Sequence, residues 1–122
     1  MGETKYAIDL EQRFGFLELI DVQKMIDECT QPWFNQTLCR VNDCVIRVGI
    51  VHGEFHWHKH DKEDEFFYVV QGKLIVELED RSVELVPKQG FGVPRGVLHK
   101  TSAPEPTVML MFEGADVIPT GD

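Results

Sequence analysis

Hydrophobic and polar residues alternate along the last two thirds of the chain. From Thr37 onward, short runs with a period of two are separated by turn residues such as Asn42-Asp43 and Gln71-Gly72. A period of two places successive side chains on opposite faces of a strand. Many short strands at near-regular spacing, with no helix-length pattern between them, predict an all-β sandwich or barrel.

The first part of the chain has a helical pattern instead. Asp9 and Gln12 have the spacing of a capping box. Behind a candidate cap at Asp21, apolar residues recur three and four apart: Val22, Met25, Ile26 and Cys29. We therefore predict one or two short helices over residues 9–29, interrupted near Gly15. The single domain then consists of an N-terminal helical segment, residues 1–36, that packs on a barrel formed by residues 37–122.

The Asn42-Asp43 pair also predicts how the first two long strands align. If it is a two-residue hairpin loop, the strands share one apolar face. That face carries Cys39, Val41, Cys44, Ile46, Val48 and Ile50. With this face taken as the interior, Arg40 and Arg47 are predicted to point outward. An anionic substrate would then lack an inward cation, since Arg95 lies in a rim turn.

Composition and charge exclude several classes of partner. The chain has 122 residues and a net charge of −9, which fits one domain and opposes nucleic-acid binding. Apolar runs such as Val108 to Phe112 are far shorter than the roughly 20 residues that span a bilayer, so no membrane is expected. Without an export signal we expect a cytoplasmic location. Cys29, Cys39 and Cys44 lack CxxC spacing and are expected to be reduced, mostly buried thiols.

Histidines form the most informative cluster in the sequence. Four of the five lie within nine residues, at His52, His56, His58 and His60, and the fifth is His99. Histidines at positions i and i+2 of a strand project to the same face, where both imidazoles reach one ion. Glu65 follows at the start of an apolar run. Three imidazoles and a carboxylate suit one divalent ion of iron, manganese, nickel, zinc or cobalt.

Two motifs in this region resemble those of a known family. His58-x-His60, four residues, Glu65, six residues and Gly72 resemble the first conserved motif of the cupin superfamily, and Pro94-x-Gly96-x-x-His99 resembles the second. The resemblance covers roughly residues 37–118, and this region is similar to small single-domain cupins of uncharacterised activity. It implies a double-stranded β-helix, or jelly-roll barrel. It also implies metal ligands at His58, His60, Glu65 and His99.

The second motif departs from the family pattern at two positions. Lys88 stands where a glycine is expected, and Ala103 stands where an asparagine often follows the histidine. Neither position holds a ligand in the pattern. The departures weaken the similarity to any characterised enzyme and leave the implied fold and metal site unchanged.

Other residues near the motifs are candidates for the pocket. Strand parity turns Phe67 inward with Glu65 and Tyr68 outward. His52 either lines the interior or is a hydrogen-bonded histidine in the wall, and His56 is favoured at the surface or rim. These two are the candidate acid/base residues. The expected apolar lining is Phe55, Phe67, Val76, Phe91, Met109 and Met111.

These observations predict a metal-binding cupin that acts on a small, neutral or weakly polar organic molecule, as an oxygenase or an isomerase. The alternative is a non-catalytic module that binds or senses a metal or small ligand. A homodimer is expected, because small jelly rolls expose an edge strand and an apolar sheet face. The apolar N-terminal residues pack either over their own barrel or across that interface: Phe14, Phe16, Leu17, Leu19 and Ile20.

Overall fold

The computed structural model describes residues 6–121 of the chain. Within them lie eight strands and one short helix. In chain order these are β1 Ala7–Asp9, α1 Val22–Glu28, β2 Trp33–Val41, β3 Cys44–Glu54, β4 Glu65–Gln71, β5 Leu74–Leu78, β6 Ser82–Leu85, β7 Gly90–Val93 and β8 His99–Gly114.

The longest strand, β8, holds the barrel together. Its first residues pair with β5, and its later residues pair with β3 on one side and β4 on the other. The main sheet has the order β1-β2-β3-β8-β4-β7, and β6 pairs with β5. β1 runs parallel to β2, whereas the other pairs are antiparallel. The predicted all-β jelly-roll barrel with a short N-terminal helix is therefore confirmed.

The hairpin at Asn42-Asp43 is confirmed, and the assignment of its faces is wrong. Val41 pairs with Cys44, as the loop predicts. Arg47, however, is 2% exposed and lies on the same side as Val51, which packs in the barrel interior. The face that carries Val48 is the outer one. Both faces of this sheet are covered, so hydrophobicity alone does not distinguish the inner face from the outer face.

A second hydrophobic cluster covers that outer face. Its buried members are Met25, Leu38, Val48 and Val108, with partly buried neighbours Phe14, Ile20, Val22, Ile26, Phe34, Ile46, Ile50 and Leu110. The N-terminal segment therefore packs on its own barrel through these residues. Phe16, Leu17 and Leu19 do not join the cluster and are exposed.

The N-terminal segment has less helix than the sequence pattern predicts. Only α1 forms, where Asp21 Oδ1 accepts from the Lys24 amide at 3.1 Å as the predicted cap. The capping box at Asp9 is wrong, because Asp9 ends β1. The amides of Arg13 and Phe14 donate to carbonyls of β2. These hydrogen bonds hold the segment extended along the sheet edge, so a helix cannot form there.

Three smaller observations complete the comparison with the sequence. β2 begins at Trp33, four residues before the predicted start of the extended region. The three cysteines are unpaired, and Cys44 is exposed, in contrast to the expected buried thiol. Among residues 6–121, no helix has the length and apolar character needed to cross a membrane.

Candidate metal centre

The two halves of the histidine motif are joined by backbone hydrogen bonds. His58 and His99 form an antiparallel bridge, each amide donating to the other's carbonyl at 2.9 Å. The Gly96 amide donates to the carbonyl of His60 at 2.8 Å. Glu65 is the first residue of β4 and His99 the first of β8. Strand ends and a loop thus bring all four side chains to one end of the barrel interior.

The ligand atoms of these four residues lie close enough to hold a single ion. One atom from each of His58, His60, Glu65 and His99 lies within 4.8 Å of the others, and all four residues are buried. Glu65 Oε1 is 3.4 Å from His60 Nε2 and 3.3 Å from His99 Nε2. The imidazoles therefore converge on the carboxylate, and the structure brings together the four residues that the motifs single out.

Backbone carbonyls fix the protonation of two of the rings. His58 Nδ1 lies 3.0 Å from the carbonyl of His56, and His99 Nδ1 lies 2.9 Å from the carbonyl of Val97. A carbonyl only accepts, so each Nδ1 carries the proton that it donates. In the neutral ring the Nε2 lone pair then faces the cluster, which is the tautomer that a metal requires.

Burial and neighbouring charges shift the pKa values of the cluster. Burial, together with smaller effects of the nearby His99 and His60, lowers the pKa of His58 to about 4, and the hydrogen bond to the carbonyl of His56 opposes this shift. Burial alone would raise the pKa of Glu65, but the adjacent imidazoles of His60 and His99 outweigh it and lower this pKa to about 2. A neutral imidazole and an ionised carboxylate are the ligand forms that a divalent ion needs.

The environment of His60 also fits a metal ion. Its two ring nitrogens are buried, and neither has a hydrogen-bond partner among the described residues. Buried polar atoms are costly to leave unpaired, so such atoms imply a missing partner. Three imidazole nitrogens and one carboxylate oxygen suit iron, manganese, nickel, zinc or cobalt. The donor set and the unpaired nitrogens both fit one divalent transition-metal ion.

A second buried carboxyl group adjoins the cluster. Glu113 of β8 pairs across the sheet with Glu65, and its Oε2 lies 3.4 Å from Arg47 Nη1. Burial raises the pKa of Glu113 well above its ordinary value, and the negative charge of Glu65 adds to the effect. Arg47 also donates to Thr37 Oγ1 and to the carbonyl of Val117, both at 3.0 Å. A network centred on Arg47 and Glu113 therefore packs behind the carboxylate side of the cluster.

The space beside the cluster is small. A cavity of about 20 Å³ lies inside the barrel, and roughly 10–15 Å³ is needed to hold one water molecule. Its lining residues are Trp33, Asn35, Phe55, His58, Glu65, Phe67, Thr101, Met109, Met111 and Pro119. Four of the six apolar lining residues expected from the sequence are among them. Val76 lies instead in the packed core, and Phe91 is partly buried against that core.

Residues 117–121, which we call the C-terminal segment, pass beside this cavity, and Pro119 lines it. The carbonyl of Thr120 accepts from His56 Nε2 at 2.7 Å. Gly121 packs so closely on His58 that an added Cβ would lie 2.6 Å from the histidine Cβ. A groove of about 440 Å³ begins at this segment and is lined by His60, Asp61, Lys62, Glu63, Asp116 and Val117.

The other two candidate histidines and the arginines lie outside the cluster. His52 is exposed and follows the parity of Ile50, which faces the outer side of the sheet. It therefore does not line the interior. His56 is exposed as well, as the sequence favoured, and stacks on Phe55. Arg95 pairs with Asp64 at the surface.

A groove of about 1200 Å³ runs beside Phe66 and Phe112, and its lining includes Glu65 but no histidine. Phe66 and Phe112 are exposed. This groove therefore lies apart from the histidine nitrogens that would hold the ion.

Sequence reasoning missed four lining residues of the cavity: Trp33, Asn35, Thr101 and Pro119. Trp33 and Asn35 lie on β2 before Thr37, the predicted start of the extended region. The signal is present in the alternation of Trp33, Asn35 and Thr37, which places all three on one face. Pro32 lies directly before this alternation, and because a proline is also typical of the end of a helix, the pattern alone does not show that a strand begins there.

Comparison with known proteins gives consistent matches. A family model described as "Cupin domain" matches residues 47–113. The uncharacterized protein YdbB of Bacillus subtilis (strain 168) is 30% identical over 88 residues, which cover 71% of this chain and 78% of that protein.

Solved structures are similar as well. A cupin-2 domain containing protein from Shewanella frigidimarina has a TM-score of 0.74 and 29% identity, covering 79% of this chain and 94% of that one. KdgF from Halomonas sp. has a TM-score of 0.63 and 25% identity, with coverage of 70% and 80%.

Proposed function

Because the chain belongs to the cupin domain family, we propose that it holds one divalent transition-metal ion and acts on a small organic molecule. The proposed ligands are His58, His60, Glu65 and His99. The observation that carries the proposal is the convergence of these four buried side chains within 4.8 Å. The fold does not determine which metal ion binds, so the ion is identified by elemental analysis.

The chemistry we propose is that of a metal-dependent oxygenase or isomerase. When bound, a divalent ion supplies Lewis acidity and a position where a substrate atom is activated. The chain's own residues prepare that position. The carbonyls of His56 and Val97 hold two rings in the ligating tautomer, and the aromatic and methionine walls of the cavity exclude bulk water.

One observation favours the alternative, a non-catalytic module that binds a metal or a small ligand. The cavity beside the cluster holds about 20 Å³, and the candidate acid/base residues His52 and His56 both lie on the surface. Metal-loaded protein distinguishes the two functions. An enzyme converts a compound from a panel of small hydroxy and amino compounds, and the His99→Ala variant does not, whereas a binding module converts none of them.

We also propose the setting in which the protein acts. It is a single domain in the cytoplasm, with the N-terminal segment as a cover of the barrel, and it forms a homodimer. The exposed apolar side chains of Phe16, Leu17 and Leu19 support the dimer. The net charge of −9 supports the expectation that neither nucleic acid nor an anionic membrane is a partner.

Elemental analysis of untagged protein tests the metal proposal. We expect a stoichiometric divalent metal in the wild type and a loss of affinity of at least about tenfold in His58→Ala and His99→Ala. Each variant removes one of the four donors, and the remaining three hold the ion more weakly.

His56→Ala and His52→Ala are the matched controls for this measurement, because both histidines lie close in sequence and outside the cluster. We expect both to retain the metal. A wild-type protein that takes up no divalent ion on titration contradicts the proposal, as does a His58→Ala variant that binds as tightly as His56→Ala.

A further inference from the structure

A buried side-chain amide lies beside the metal cluster and has no role in it. Asn35 is 6% exposed on β2, where it pairs with Gly49 of β3. An added Cβ at Gly49 would lie 2.7 Å from Met109 Cε, so this position has no space for a side chain. Glycine there lets the Met109 and Met111 side chains pack over β3, next to the amide.

The two ends of this amide differ in their partners. Asn35 Nδ2 lies 4.0 Å from Met111 Sδ, a weak acceptor. Asn35 Oδ1 is buried and has no hydrogen-bond partner among the described residues. A buried amide oxygen without a partner costs about as much as a lost hydrogen bond. A hydrogen-bond donor that binds next to Asn35 Oδ1 would therefore explain why this oxygen is buried.

The cavity shows where that donor lies. Asn35, His58 and Glu65 all line the same space of about 20 Å³. A group of the size of one water molecule fills it. A group in this space contacts the amide on one side and faces His58 and Glu65, two of the residues that would hold the ion, on the other. Asn35 therefore shares this space with two of the proposed metal ligands.

The walls of the cavity restrict the ligand class. Trp33, Phe55, Phe67, Met109 and Met111 are apolar, and no lysine or arginine is among the residues that line it. An anionic ligand group would find no cationic side chain in these walls and would depend on the ion alone for its counter-charge. A neutral group that donates to Oδ1 satisfies the amide and needs no counterion.

We propose that Asn35 is a ligand-binding residue of this site, which takes a small neutral ligand whose hydroxyl or amine donates a hydrogen bond to Asn35 Oδ1. The inference rests on the proposed function, because it assigns the ligand class of the same metal site. It names the chemical feature by which the site selects its ligand, namely a protic group next to the ion.

Two small probes on cobalt-loaded, full-length protein test this assignment. Hydroxylamine at mildly alkaline pH is neutral and donates hydrogen bonds, whereas azide is anionic and only accepts them. Their affinities are measured anaerobically from the visible absorption of cobalt(II). We expect Asn35→Leu to weaken the binding of hydroxylamine roughly tenfold, as for one lost hydrogen bond. The affinity for azide should change by less than about threefold.

Further variants separate the hydrogen bond from cavity shape. Asn35→Ala repeats the test without added volume, and Asn35→Asp keeps an acceptor and should retain hydroxylamine binding. Gln36→Met is the matched control, since Gln36 is a buried amide of the same strand that contacts Asp9 instead. We expect it to change neither affinity.

The outcomes distinguish this inference from the function on which it rests. If cobalt still binds, either of two results overturns the role of Asn35. In the first, Asn35→Leu and Asn35→Ala weaken hydroxylamine and azide binding equally. In the second, neither variant changes either affinity. A wild-type protein that takes up no cobalt overturns the proposed function itself, and the inference with it.

Discussion

Arg47 is a charged side chain in the barrel interior, and its contacts explain why it is tolerated there. Its guanidinium contacts Thr37 Oγ1, the carbonyl of Val117 and the carboxyl group of Glu113. Planar guanidinium groups suit such multiple contacts better than an ammonium group. The residue thus joins β2, β8 and the C-terminal segment behind Glu65.

Removal of Arg47 should destabilise the fold. We expect Arg47→Met to lower the free energy of unfolding by about 3 kcal/mol, because it leaves Glu113 buried beside Glu65 without a positive partner. The value is at the low end for buried pairs, since burial already raises the pKa of Glu113 and favours its neutral form. Urea denaturation followed by tryptophan fluorescence measures the change.

Arg40→Met is the control for this measurement, as Arg40 is an exposed arginine of the same hairpin. It should alter stability by less than about 0.5 kcal/mol. The double variant Arg47→Met, Glu113→Met should be more stable than Arg47→Met alone, because no buried charge is left unpaired. Equal stability of the two single arginine variants would show that the interior network contributes nothing.

Individual residues also show which parts of the site can be predicted from the sequence. The spacing from His58 to Glu65 encodes a loop followed by a strand, so the proposed ligand set follows from the motif. Arg47 and Asn35 could not be placed in the same way. Their orientation depends on which face of β2 and β3 is the inner one, and that face is set by packing of the N-terminal segment.

At the scale of elements, α1 and the extended residues before it form a cover on the outer side of the barrel. The cover packs on Leu38, Val48 and Val108, whereas the metal cluster faces the inner side. The helical periodicity of the sequence predicted α1 correctly. It failed over residues 10–20, where hydrogen bonds to the edge of β2 replace those of a helix.

This separation predicts that the cover contributes to stability and not to metal binding. Met25 is 3% exposed in α1, and we expect Met25→Ala to cost about 2 kcal/mol in the free energy of unfolding, as for other buried methionine truncations. The folded variant should retain a stoichiometric metal. Urea denaturation and elemental analysis of the same preparation measure both quantities.

Leu19→Ala serves as the comparison for Met25→Ala, because Leu19 belongs to the same segment and is 87% exposed. Its effect on stability should stay below about 0.5 kcal/mol. A folded Met25→Ala variant that has lost its metal would mean that the cover and the metal cluster are coupled.

At the scale of the whole molecule, one surface feature lacks an explanation within the chain. Phe16, Leu17 and Leu19 are exposed, and Leu17 has a φ of 65°. A left-handed conformation is unfavourable for leucine. Glu18 Oε1 accepts from the Gly15 amide at 2.8 Å and holds this turn. We expect a contact with a second copy of the chain to cover apolar side chains presented in this way.

We therefore expect a dimer in solution that depends on this turn. Sedimentation equilibrium should give a dimeric mass for the wild type and a monomeric mass for the triple variant Phe16→Ser, Leu17→Ser, Leu19→Ser, since the variant removes the apolar contact area. Metal content should stay unchanged, because the turn lies on the outer side of the barrel.

Val86→Ser is the control for the dimer measurement, as Val86 is an exposed apolar residue on another part of the surface. It should remain dimeric. A monomeric wild type, or a triple variant that still forms dimers, would show that the turn has another role.

The C-terminal segment has a kinetic consequence. Pro119 lines the cavity and the carbonyl of Thr120 accepts from His56 Nε2, so we expect that a ligand entering past this segment must wait for it to open. The observed rate of ligand entry then rises with ligand concentration until it equals the rate at which the C-terminal segment opens. At higher concentrations it stays constant. His56, although it lies outside the cluster, would govern how fast the site exchanges its contents and not how tightly it binds them.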